Sequence, residues 1–164
     1  MTSRYAEDAN YWMTTVHPAK SQAEIIELLD NFGATNYQIS QGGTAGRGRN
    51  AIAWLIRFVW NDHSYRFLFT PLECRAPEKI SSFGGKRRAH SDQAIYQMGR
   101  VAVHLTKAIL TAAEMHPHAL FGFMELPGTD AGGIPHTAAE LDIAGIASAL
   151  PVPTALILTP PEEA

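Results

Sequence analysis

The amino-acid sequence predicts an α+β domain, a small, mostly antiparallel sheet of about four to five strands packed against one long and two shorter helices. Three observations predict it. The aromatic and β-branched runs Ile52 to Trp60 and Tyr65 to Phe69 flank a turn pair, Asn61-Asp62. Ile25, Leu28, Leu29 and Phe32 recur at helical spacing. Ser91 to Met115 carries the longest amphipathic pattern in the chain. The 164 residues suit a single domain spanning 1–164, with one core.

Taken in order, residues 1–10 read as an N-terminal tail, and Tyr11 to Val16 as a short strand closed by His17-Pro18. Ser21 and Glu24 form a capping-box pattern that opens a helix from Ser21 to Phe32, and Gly33 ends it in a left-handed conformation. Tyr37 to Ser40 starts a strand. The glycine-rich loop 41–50, QGGTAGRGRN, joins it to Ile52–Trp60, and with Tyr65–Phe69 the three strands make an antiparallel meander. Residues 71–90, holding prolines, glycines and three consecutive cations, read as a long exposed basic loop.

In the long helix, Ile95, Met98, Ala102, Leu105, Ile109 and Ala112 are expected on the apolar face. Gln93, Gln97, Arg100, His104, Lys107, Thr111 and Glu114 are expected on the solvated one. Pro117 ends it, and Leu120 to Leu126 reads as a further strand. Thr137 and Glu140 form a second capping-box pattern for a helix reaching to about Leu150, and residues 151–164 are a proline-rich acidic tail.

Charge is segregated along the chain. Residues 75–107 hold Arg75, Lys79, Lys86, Arg87, Arg88, Arg100 and Lys107 against Glu78 and Asp92, whereas from Ala108 onward there are seven acidic residues and no Lys or Arg. Such asymmetry bears on partners rather than on fold. No apolar run approaches the roughly 20 residues needed to span a bilayer, no secretory h-region follows the N-terminus, and the lone Cys74 cannot form an intramolecular disulfide. A cytoplasmic protein without membrane association is expected.

No catalytic or metal signature is visible. The glycine loop lacks the lysine of a Walker A loop and the spacing of a dinucleotide fingerprint, and His116-x-His118 has no further ligand at metal-binding spacing. No cofactor and no metal site are expected. The informative constellation is Lys86-Arg87-Arg88 leading into a helix that carries Gln97, Arg100, His104 and Lys107, assisted by Arg47 and Arg49 of the glycine loop. Cations at a helix start oppose the helix dipole, so phosphate is a natural neutralising partner. The acidic C-terminal third is the competing one. Trp54, Phe58 and Trp60, with Tyr65, Phe67 and Phe69, are either core or a stacking platform for unpaired bases.

Tyr11-Trp12, Thr15-Val16, Lys20-Ser21, Glu24-Ile25, Leu28-Leu29, Gly33-Ala34, Ile56-x-Phe58, Arg87-Arg88, Arg100, Lys107-Ala108 and Glu114 resemble an uncharacterised family of small phage- and prophage-associated proteins, over roughly residues 11 to 126. The resemblance implies a mobile-element setting, in which nucleic-acid handling and counter-defence are common tasks, and implies no activity. The expected function is therefore a non-enzymatic accessory protein that binds nucleic acid, single-stranded by preference, through the basic loop and helix face. The alternative is a protein that sequesters a phosphorylated small molecule such as a nucleotide messenger. A third reading is a metal-independent hydrolase using His104 with Asp130 or Glu125. Self-association into a homo-oligomer is compatible with each.

Overall fold

The computed structural model describes residues 5–43, 52–129 and 135–140. The fold is α+β, with two α-helices, three short 3₁₀ turns and seven strands in three small antiparallel sheets among these residues. Of the expected glycine loop 41–50, residues 41–43 are strand, while 44–50 with Arg47 and Arg49, Asp130, the expected helix beyond Glu140 and the acidic tail lie outside the described residues.

Helix α1 spans Pro18–Phe32. It starts earlier than the Ser21–Glu24 pattern predicts, because His17 supplies the cap, its ring accepting from the Ala19 N–H at 3.2 Å, and Pro18 occupies the first turn, where its missing N–H costs nothing. Ser21 is instead fully buried inside the helix. Gly33 ends α1 at φ 81°, as expected.

Strands β1 (Thr35–Gly43), β2 (Ile52–Trp60) and β3 (His63–Phe69) form the meander, ordered β1-β2-β3. Asn61 and Asp62 both have positive φ, 48° and 63°, the backbone of a type I′ hairpin turn. Trp54, Ile56 and Phe58 stand opposite Phe69, Phe67 and Tyr65 and are buried with them on the face that α1 and the long helix cover. The aromatic rows are therefore core, not a stacking surface. Leu55, Arg57 and Val59 point to the other face.

Two expectations about the chain's path are corrected. Tyr11 to Val16 is not a strand: residues 11–13 form a turn with Tyr11 at φ 66°, and residues 14–17 are irregular. The connection 71–90 is not all loop. It contains a ribbon of β4 (Ile80–Phe83) and β5 (Lys86–Ala89), closed by Gly84 and Gly85 at φ 57° and 80°. A Cβ at Gly84 would also collide with the Thr15 side chain.

Helix α2, His90–Met115, follows β5 without a break. Its first N–H groups are satisfied by carbonyls of the preceding connection, His90 N–H to Lys79 at 2.9 Å and Ser91 N–H to Pro77 at 3.0 Å. The 3₁₀ segment Pro117–Phe123 follows, replacing the first part of the strand expected from Leu120. It lays Phe123 against Phe67, ring centroids 4.8 Å apart, before β6 (Glu125–Thr129) pairs with β7 (Pro135–Thr137). At Thr137 the backbone N–H donates to Glu140 at 2.9 Å, half of a capping box.

Candidate functional site

The buried face of α2 is rotated from the one that counting apolar residues selects: Met98 and Ala102 are buried and Ile95 and Ile109 half-buried, as expected, but the face extends to two glutamines. Gln93 and Gln97 are almost fully buried, while Leu105 is 44% exposed and Ala112 is also exposed. The rotation follows from residues 5–14, which wrap the N-terminal half of α2 and bring main-chain carbonyls with them. Gln97 Nε2 donates toward Ala6, Ala9 and Asn10 carbonyls at 2.9, 3.2 and 2.8 Å, and Gln93 Nε2 donates to Trp12 and Thr14 carbonyls. Buried amides cost little when bonded, and here they close the hydrogen bonds of an irregular segment.

The cations have correspondingly different duties. Arg88 donates to Gln93 Oε1 at 2.6 Å and lies 3.8 Å over the Tyr96 ring. Arg100 is paired with Glu24 of α1 at 2.7 Å. Arg75 is paired with Asp8. Lys86 and Arg87 are exposed at the tip of the ribbon, and Lys79 is exposed at its base; none has a side-chain hydrogen bond or ion pair among the described residues. Lys107 is exposed about 25 Å further along α2, from a rise of about 1.5 Å per residue. His104 stacks face to face on Tyr11, centroids 4.8 Å apart. Of the predicted site residues the structure thus gathers Lys86, Arg87 and Arg88 on one ribbon. It buries Gln97, engages Arg100 and leaves His104 and Lys107 along the helix.

Among the described residues, two acidic groups of the C-terminal third serve other cations. Glu125 binds Arg57 in a bidentate pair, 2.7 and 2.6 Å, and Glu140 pairs with Arg66. Arg57 and Arg66 stand directly opposite each other on β2 and β3, where like charges repel. The two glutamates neutralise that sheet pair, not the ribbon. The hydrogen bond that Arg57 donates to Glu125 holds its guanidinium above its ordinary pKa against the opposing effect of burial. With both carboxylate oxygens engaged by Arg57, Glu125 does not meet His104. Neither of two described cavities is lined by Arg100 or His104. One, about 150 Å³, lies by Gln38 and Arg57, and the other, about 340 Å³ and largely apolar, lies between Asn10, Phe69, Leu72, Met98 and Val101.

The inner face of the ribbon carries a second cluster, unpredicted from sequence. His90 is 6% exposed; its Nδ1 lies 3.1 Å from Glu7 Oε1 and its Nε2 2.9 Å from Ser81 Oγ. Trp12 packs edge-on against the ring at 5.1 Å. Burial acts to raise the Glu7 pKa, but bonds from its own backbone, from His90 and from the Arg75 N–H outweigh it and hold the carboxyl below its usual value. Cys74 donates to the His90 carbonyl, and burial, with Glu7 nearby, pushes its thiol up to about 11. Residues 7, 81 and 90 have no spacing that sequence reading could recognise; only the wrap of the N-terminal segment joins them.

Comparison with known proteins yields no match to this chain, neither a family model, nor a curated protein, nor a solved structure. No described helix is long and apolar enough to cross a membrane. Geometry alone carries the functional reading.

Proposed function

We propose that the chain is an accessory protein of a phage or other mobile element that binds nucleic acid in the cytoplasm through the β4–β5 ribbon. The observation carrying this reading is that Lys86 and Arg87, with Lys79 behind them, stand exposed without a counter-carboxylate among the described residues on a ribbon whose inner face is fixed by Arg88 and His90. A two-stranded ribbon fits the major groove of a duplex, and exposed cations on it would take phosphate contacts. Because the sheet aromatics are buried, stacking gives no reason to prefer single strands, and the reading shifts to duplex. The test is a titration of labelled duplex and matching single strand at two salt concentrations with wild type and the K86A/R87A variant. Expected are salt-sensitive duplex binding and about a tenfold or greater loss in the variant. Salt-independent binding, or an unaffected variant, overturns it. A thermal shift with mononucleotides alone would favour capture of a phosphorylated small molecule instead.

A second observation favours a partner, a second copy of this chain. Val101, Leu105, Ala108, Ala112 and Met115 are all exposed and spaced 4, 3, 4, 3 along α2, the seam of a two-helix coiled coil. In an antiparallel arrangement Leu105 would meet Met115 of the second copy, the alanines would permit close approach at the centre, and Lys107 would meet Glu114 of the second copy. The seam is self-complementary in charge and shape, as a two-fold interface must be. One seam of about four turns is small, so association is weak and concentration-dependent. Sedimentation should show dimers that Leu105→Glu abolishes; a monomer at every concentration contradicts it.

A further inference from the structure

We propose that Ser81, His90 and Glu7 form a nucleophilic triad that hydrolyses carboxylic esters of small acyl groups, an activity separate from nucleic-acid binding. Connectivity comes first. Glu7 meets Nδ1 and Ser81 meets Nε2, so with Glu7 ionised the ring carries its proton on Nδ1 and leaves Nε2 to accept from the serine hydroxyl. Glu7 is itself held: the Arg75 backbone N–H donates to both its oxygens, at 3.1 and 3.3 Å. The ring is held as well, by Trp12 and by its place at the start of α2. A base with both nitrogens committed in this order, and a carboxylate fixed behind it, is the arrangement that activates a hydroxyl.

The ribbon supplies the remaining parts. Ser81 is half-buried, whereas the base behind it is 6% exposed. Antiparallel alternation pairs Ser81 with Arg88 across the ribbon and turns the N–H of the next residue, Ser82, toward the open edge. A backbone N–H immediately after the nucleophile is a donor for the oxyanion. In the reaction, Ser81 Oγ bonds to the acyl carbon as His90 Nε2 takes its proton. The intermediate collapses, the alcohol leaves with that proton, and water repeats the sequence to release the carboxylic acid and restore the serine. Ser81 and His90 are the catalytic residues; Glu7 is a positioning residue.

The full chain is treated with a fluorophosphonate probe, in which Ser81 Oγ would displace fluoride from phosphorus, and the adduct is located by peptide mass spectrometry; turnover is followed with p-nitrophenyl acetate. One adduct on Ser81 is expected, with Ser81→Ala losing the adduct and about a hundredfold or more of the ester turnover. Glu7→Gln should lower kcat about tenfold or more with little change in KM, a split that loss of fold would not give. Ser81→Cys keeps a hydrogen-bonding side chain, and its new thiol beside His90 should alkylate far faster than Cys74, whose thiol is pushed up to about 11. No adduct, an adduct elsewhere, Ser81→Ala turning over at the wild-type rate, or a Ser81→Cys variant whose introduced thiol reacts no faster than Cys74 overturns the proposal. Duplex binding of the wild type is titrated alongside, so that absent ester turnover with salt-sensitive duplex binding retained separates failure here from failure of nucleic-acid binding.

Discussion

Gln97 shows how a single side chain can redirect a helix. Its amide reaches three main-chain carbonyls of residues 6–10 from a position 2% exposed, so it holds the N-terminal segment while occupying a core site. Gln97→Ala leaves those carbonyls under-satisfied and opens a cavity, and should cost about 1–3 kcal/mol in urea denaturation. An unchanged midpoint would show that the segment is held otherwise. The sequence could not reveal this role, because a polar residue on a helical wheel defaults to solvent unless its partner is known, and here the partner is an irregular backbone about 90 residues earlier. The same distance hid the Glu7–His90–Ser81 cluster. By contrast Gly33 and the Asn61-Asp62 turn act within their own few residues and were legible.

At the level of elements, α1 and α2 meet where Ser21 faces Gly99. A Cβ placed at Gly99 would come 3.0 Å from the Trp54 ring and 3.3 Å from Ser21, and Trp54 is fully buried. Gly99→Ala gains about 1 kcal/mol of helix propensity, but the ring has nowhere to move, and overpacking of a core costs about 1–3 kcal/mol. A lower melting temperature is therefore expected; a higher one would show that the crossing can open. The Ser21–Glu24 pattern resembled a cap because it has the right spacing, but Ser21 is needed at this crossing and Glu24 pairs with Arg100. The β4–β5 ribbon had a readable signal in Gly84-Gly85 between two short runs. It was obscured because Lys86-Arg87-Arg88 is a poor strand former and gains its order from Arg88 stacking on Tyr96.

For the whole molecule, the segregated charge seen in the sequence resolves into two separate balances. Glu125 and Glu140 serve Arg57 and Arg66 on the sheet, while Lys79, Lys86 and Arg87 face solvent at the far end of α2 from Met115. The meander, the long helix and the aromatic core were legible because hydrophobic periodicity reports burial directly. Charge along a chain does not report which cation meets which partner, so the engagement of Arg88 by Gln93, that of Arg100 by Glu24 and the burial of Gln97 were not legible. In the proposed function the ribbon tip carries the phosphate contacts. The slope of log K against log salt for duplex binding, compared between wild type and K86A/R87A, counts those contacts. Two lost contacts should flatten the slope by about two, at about 0.9 per phosphate. Parallel slopes, with or without a change in affinity, would contradict it.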